Sequence, residues 1–426
     1  MGTNLFKHTA LQAIQSAIIL KIIQPMLFEK SRHEPLTKSL WDQSVVQAEI
    51  SSIIEDIGHS LLPDACWSTH PLDAGSYPRV GPKWSAYAGA AGVIHALQIL
   101  RGYGYKVSDL SGLLETVYQS FLKSPDVSVE PGLQIGELGI LMPAILANPE
   151  DEDLSKCVMR CMEATLELPL YEITSGQSGM MHAALALYRK TGENHWKDLY
   201  VKGAKSLMDH WTQDKDTKQG LWQSQVFGPK RHYYGACHGL TGNANILLQG
   251  VDLLPDDYTE IIIKRTVSTL LISVKEQATL ANWTVCTKPN IDKLLVQWCH
   301  GAAGIVTAMA RTPKTDSHES KQLDQLLEKT AELVWQAGPL VKGSSICHGT
   351  SGNGYAFLYL YQRTGNSIWL DRARKFAMHS IEQCQKARLR YEQGRYTLWT
   401  GDAGLAIYLY HCIYPEKAAI PGLDLF

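Results

Sequence analysis

The sequence predicts an all-α protein built as a closed ring of helical hairpins, and three observations lead there. Gly-x-x-Gly recurs seven times, at Gly89-Gly92, Gly136-Gly139, Gly176-Gly179, Gly239-Gly242, Gly301-Gly304, Gly349-Gly352 and Gly401-Gly404. Each copy runs at once into apolar residues at helical spacing, as in Val93, Ile94, Leu97 and Leu100 or in Leu405, Ile407, Tyr408 and Leu409, so each opens a helix. Three copies place the same Cys-His pair ahead of the glycines: Gly235 to Gly242 (GACHGLTG), Leu295 to Ile305 (LVQWCHGAAGI) and Val341 to Tyr359 (VKGSSICHGTSGNGYAFLY). Those pairs meet in space only if the units close on one another. Intervals of 40 to 63 residues leave room for two helices and a loop in each unit, and such an array buries its core by stacking neighbours.

In chain order, residues 1–82 form an N-terminal region of helices and loop, residues 83–426 form the seven repeats, and the 426 residues are expected to make a single domain. The run Leu11 to Phe28 is apolar but interrupted by Gln12, Gln15, Lys21, Gln24 and Pro25, which predicts an amphipathic helix lying on the body rather than a membrane span. Phe6 stands where a myristoylation motif starting at Gly2 requires Ser or Thr. From His33 to Ser51 the chain is polar and then helical. Pro63 to Pro82 is dense in Pro, Gly, Asp and Ser and reads as a long loop covering one mouth of the ring. Ser111 to Lys123 and Leu323 to Trp335 carry one apolar face each, the pattern of outer helices. Thr212 to Gly220 is polar throughout and reads as an exposed loop. Strand-like alternation is nearly absent.

Composition excludes some functions. Forty basic against 42 acidic residues leave no basic stripe for a phosphate backbone, so nucleic acid is not an expected partner. Nine scattered cysteines fit a reducing, cytoplasmic compartment better than a disulfide framework. A glycosidase, a frequent tenant of helical toroids, needs two carboxylates across the cavity, and the repeat starts supply thiols instead.

Cys299, Cys347 and His348 directly precede the glycine that opens an inner helix or sit one residue before that, so a ring brings them to one end. Two thiolates and one imidazole are a tetrahedral zinc set with one position open, as in catalytic sites. Adjacent residues such as Cys347 and His348 reach one metal from the turn before a helix, not from within it. Cys66, Cys286, Cys384, Cys412 and the pair Cys157 and Cys161 lack this register and read as buried structural cysteines. Cys237 shares the register, but a fourth protein ligand would close the metal.

WCHGAAG, CHGTSGNGYAFL and GACHGLTG resemble the motifs of the lanthionine synthetase C-like family, and the resemblance runs through all seven repeats. Gln297-Trp298-Cys299-His300-Gly301, Lys342-Gly343 ahead of Cys347 and the ending Lys417 to Phe426 resemble the eukaryotic-type branch. The resemblance implies an α/α toroid of seven inner and seven outer helices. It implies one zinc per chain, held by two Cys and one His, and addition of a thiol to dehydroalanine or dehydrobutyrine. In the eukaryotic-type branch that thiol is glutathione, and members also eliminate phosphate from phosphorylated Ser or Thr. The implied partners are therefore glutathione and a dehydrated or phosphorylated protein or peptide, with kinases among them. His238 is implied as the acid that protonates the α-carbon, with Glu172 orienting it or accepting a proton in elimination. His300 is a group beside the metal or substrate, and His182 a packed residue. Lys342 is implied as a glutathione contact and Arg390 as a second one. Two departures stand out: Arg390-Tyr391-Glu392-Gln393 lacks the Pro-Asp of the branch, and Thr400 replaces the usual Glu. Two other readings use the same residues, a lanthipeptide cyclase and a zinc- and glutathione-binding scaffold without turnover.

Overall fold

The computed structural model describes residues 26–74, 83–126, 131–225, 230–287, 293–424 and 426. Among these residues there are fourteen α-helices. In chain order they are α1 (Gln43–His59), α2 (Ala90–Gly102), α3 (Leu113–Lys123), α4 (Glu137–Ala147), α5 (Glu152–Leu166), α6 (Gln177–Thr191), α7 (Asn194–Asp209), α8 (Leu240–Gln249), α9 (Tyr258–Ser273), α10 (Ala302–Met309), α11 (His318–Ala337), α12 (Thr350–Thr364), α13 (Ser367–Tyr391) and α14 (Asp402–Ile413). The expected helix over Leu11 to Phe28, except its last three residues, and the reading of Gly2 lie outside the described residues.

The even-numbered helices form the inner layer. Each packs on the next even-numbered helix, and α14 packs back on α2, so the layer closes as a ring. They are apolar nearly all round: every residue of α14 is buried, as befits a helix covered on all sides. The odd-numbered helices bury one stripe each and form the outer layer. Four of them start on side-chain caps, from Asp42, Asp151, Ser317 and Asn366, which satisfy the first free N–H groups. The first helix of the chain, α1, lies against α14, the last, and supplies the seventh outer helix.

All seven inner helices instead start at the first glycine of a repeat, with no side-chain cap. The preceding loop folds back over the helix start, and its carbonyls take the free N–H groups: Ala302 and Ala303 donate to Leu295 and Val296, and Thr350 to Gly343. That return path explains the second glycine. A Cβ on Gly304 would lie 1.8 Å from the Trp298 carbonyl oxygen, and one on Gly352 1.8 Å from that of Ile346. Gly139 is in the same position, 1.8 Å from the Leu133 oxygen. Gly139→Ala, remote from the Cys-His repeats, is therefore expected to cost about 1–3 kcal/mol or more. Gly102→Ala, with nothing within 4 Å, is expected to be neutral or mildly stabilising. Urea unfolding of the two variants checks this.

The pre-helix turns are also tied to one another. Backbone hydrogen bonds run Tyr87 to Gln134, Gln134 to Thr174, Ile173 to Cys237, Cys237 to Cys299, Cys299 to Cys347, Cys347 to Trp399 and Trp399 to Tyr87. This circuit, which passes from Thr174 to Ile173 along the chain, fixes the residues two or three before each opening glycine at one mouth of the toroid. At the other end, Leu423 accepts from buried His182 at 3.0 Å, and Asp424 is held by Gln249 and by the Ile420 amide.

The polar stretch from Thr212, expected to be loop, is partly strand: β1 (Thr212–Gln213) pairs antiparallel with β2 (Gly220–Leu221). Two similar short hairpins follow, β3 (Gln223–Ser224) with β4 (Arg231–His232) and β5 (Lys275–Gln277) with β6 (Leu280–Asn282). The Asp214 side chain accepts from the amides of Asp216 and Thr217, the local bonding that turns a polar run into a hairpin. All nine cysteines are free thiols. No helix among the described residues is long and apolar enough to cross a membrane.

Candidate metal centre

The backbone circuit sets the site. Cys237, Cys299 and Cys347 occupy the same place in three successive repeats, and each amide but the last donates to the next cysteine's carbonyl. His238, His300 and His348 follow them. Among the described residues one set of side chains can hold a metal ion: Cys299, Cys347 and His348, whose ligand atoms all lie within 4.8 Å of one another. Cys237, in the same register, is outside that set, and burial pushes its thiol well above the usual range.

The donors suit a metal. Contact with the Cys347 sulfur holds the Cys299 thiol down at about 7 against the opposing effect of burial, and Gln297, His238 and Lys342 act in the same sense. The Cys347 thiol is pushed up by that same contact and by burial. Burial, followed by the charges of Lys342 and Arg395, brings His348 down to about 4, so its imidazole is neutral at physiological pH and its lone pair is free for coordination. Neither sulfur lacks a donor: Gln297 Nε2 donates to Cys299 Sγ at 2.9 Å and the Tyr87 hydroxyl to Cys347 Sγ at 3.0 Å.

Beside the thiols lies a buried acid–base pair. His238 Nδ1 meets Glu172 Oε2 at 2.7 Å. Glu172 is fully buried and also accepts from the Thr174 and Ser175 amides at 2.8 and 2.6 Å and from the Thr174 hydroxyl. Burial alone would raise its carboxyl, but the hydrogen bond and charge of His238, helped by Thr174 and Ser175, hold it below the usual value. It is no surface residue. The His300 ring packs 5.1 Å from His238 and 5.4 Å from Tyr233. Burial first and the His238 charge second bring it down to about 3, which makes it neutral.

Charge at the rim is positive. Lys342 is exposed, and its charge reaches both Cys299 and His348. Arg390 lies on the exposed last turn of α13 with its guanidinium 5.3 Å over the Tyr391 ring, and no contact with the cluster joins it among the described residues. Two other arginines do act on His348: Arg395, paired with Asp73 through Nε at 2.8 Å, and Arg32. Motif reading missed Arg32, Tyr87 and Arg395, and it included Gln297 in a motif without assigning it a role. Tyr87 was legible in principle, since it holds the cysteine's place in the first repeat.

The chain is similar to known proteins. The family model described as "Lanthionine synthetase C-like protein" matches residues 72–425. Glutathione S-transferase LANCL1 of Danio rerio is 30% identical over 196 residues, 46% of this chain and 47% of that protein. LanC-like protein GCL1 of Arabidopsis thaliana is 28% identical over 261 residues, 60% of this chain and 58% of that protein. These matches span about half the length of the curated relatives. Nisin cyclase superposes with a TM-score of 0.58 at 15% identity, covering 87% of this chain and 94% of that one, a likeness of fold. With the family pattern running over residues 72–425 and through every repeat of the ring, the chain belongs to the lanthionine synthetase C-like family.

Proposed function

We propose that this chain is a zinc enzyme that adds glutathione to dehydroalanine or dehydrobutyrine residues of proteins or peptides. The observation that carries the reading is the juxtaposition of a two-thiol, one-imidazole cluster, with ligand atoms within 4.8 Å, and a buried Glu172–His238 pair at 2.7 Å. Cys299, Cys347 and His348 would hold the zinc, which would keep a bound thiol deprotonated at neutral pH, where a free one of pKa about 8.5 is mostly protonated.

The chain's own residues account for the remainder. When the thiolate forms its bond to the β-carbon, the electron pair of the alkene moves to the α-carbon and its carbonyl, and a proton must be delivered to the α-carbon. Glu172 fixes the proton on His238 Nδ1 and stabilises the charged imidazolium, which leaves Nε2 as the donor to the α-carbon. The net change is addition of RS–H across the double bond. Run on a phosphorylated Ser or Thr, the same pair takes the α-proton while phosphate leaves with the β C–O electrons, which generates the alkene. His300, neutral and packed on His238, shapes the pocket.

The test is to incubate the protein with glutathione and a dehydrobutyrine-containing peptide and to weigh the product. A glutathione adduct supports the reading, and an unchanged peptide, with zinc bound, sinks it. The identity of the thiol is tested at Lys342. If its ammonium meets a glutathione carboxylate, Lys342→Ala raises KM for glutathione several-fold, on the order of 1 kcal/mol, and leaves KM for a small uncharged thiol unchanged. Equal effects on both thiols would remove Lys342 from the glutathione site.

A further inference from the structure

The metal cluster is reached by a segment far from it in sequence. Residues 26–34 lie as a strap across the rim of the fifth and sixth repeats. Asn282 Nδ2 donates to the Leu27 carbonyl at 2.8 Å, Glu34 donates to Pro339 at 3.0 Å, Val341 donates to Arg32 at 3.1 Å, and His33 bridges to Leu340. His33 Nδ1 also meets the Gly338 carbonyl at 2.9 Å. Arg32 is thus pinned on both sides, on a ribbon that leads directly into Lys342. Its Nη2 donates to Gln297 Oε1 at 2.9 Å, and Gln297 Nε2 donates to Cys299 Sγ at 2.9 Å.

We infer that Arg32, acting through Gln297, and Tyr87 are positioning residues for the metal thiolates, so that the N-terminal strap and the first repeat are working parts of the centre. This rests on the zinc reading above. Guanidinium has donors and no acceptor. It can face only the oxygen of the Gln297 carboxamide, and so it locks the NH₂ group onto the Cys299 sulfur. Without Arg32 the carboxamide loses the donor that fixes its oxygen, and a flipped amide would set that oxygen against a thiolate, where two electron-rich atoms repel. Tyr87 does the same for Cys347 from the other direction. It holds the cysteine's repeat place two units further round the ring, with Trp399 between, and its ring stacks on that tryptophan at 6.3 Å and 15°. Each sulfur therefore receives a donor of fixed orientation from outside the pair. A donor on a thiolate draws charge from the sulfur, which offsets the electron density two thiolates place on one metal and keeps the ion a stronger Lewis acid.

The test uses the full chain with cobalt(II) in place of zinc. The readouts are the thiolate-to-cobalt charge-transfer band and the metal affinity against a chromophoric chelator. Tyr87→Phe deletes only a hydroxyl and keeps the stacked ring, and Gln297→Met keeps volume and loses the donor. Both are expected to move the band to longer wavelength, because an unshielded thiolate gives up an electron more readily, and to weaken binding about 10- to 100-fold. Arg32→Ala is expected to follow Gln297→Met, and Arg32→Lys, which still offers only donors to the carboxamide, to recover part of the loss. An unchanged band and affinity in folded Tyr87→Phe and Gln297→Met overturns the inference while leaving the zinc reading intact. Absence of the band in the unsubstituted protein overturns the zinc reading itself.

Discussion

Cys347→Ala is expected to yield a folded protein that purifies without zinc and adds no thiol, and Cys299→Ala is expected to do the same. Each change removes one of the three proposed ligands from a cluster whose donor atoms lie within 4.8 Å, and two protein ligands fall short of the three that a catalytic zinc site uses. Cys157→Ala is the control, since Cys157 sits on outer helix α5, outside the cluster, and should keep the full zinc content. Metal analysis of the three purified variants reads the outcome, and full zinc in both Cys299→Ala and Cys347→Ala would remove the site. The fold should survive, because the core is made by stacked repeats joined in a closed backbone circuit. Chelation at room temperature should leave the circular dichroism spectrum unchanged. Cooperative unfolding on chelation would make the metal structural.

The second large effect divides the labour within the site. His238→Ala is expected to retain zinc and to bind thiol, yet to lose on the order of 10² to 10⁴ in single-turnover rate, the usual worth of a general acid. The expectation rests on the 2.7 Å contact of His238 with fully buried Glu172 and on its charge acting on Cys299 from outside the three-residue cluster. Glu172→Gln is expected to fall in the same direction, because a neutral partner no longer stabilises the imidazolium. His300→Ala serves as comparison: burial brings that imidazole down to about 3, so it is uncharged at neutral pH and its loss should act on binding more than on proton transfer. Wild-type turnover in His238→Ala would mean that another group or water protonates the α-carbon.

Much of this was written locally in the chain. The seven helix starts were legible because each rests on a contact within its own repeat: the loop carbonyl that takes a helix N–H also excludes a Cβ at the second glycine. The outer helices were legible from their apolar stripe, and α11 was placed on such a pattern within Leu323 to Trp335. The hairpin at Thr212 was missed because its strands are two residues long, too short for alternation to register.

The sequence by itself determined the register. It put a cysteine and then a histidine at the same place in three repeats and so brought Cys299, Cys347 and His348 to one end, while the family resemblance of its motifs pointed to His238 and Glu172. Only the tertiary structure decided which of the equivalent side chains meet. It leaves Cys237 out of the cluster although its position in the repeat is the same as that of Cys299 and Cys347. It buries Glu172 and pairs it with a histidine 66 residues away. It brings Arg395 and Arg32 to bear on His348, and leaves Arg390 on an exposed helix end. The physical reason is range. A repeat is a pattern of contacts within one unit and its neighbour, and it recurs in the text. The bond from Arg32 to Gln297 joins residues 265 apart, depends on where closure of the ring lays the N-terminal strap, and leaves no periodic trace for a reader of the sequence to find.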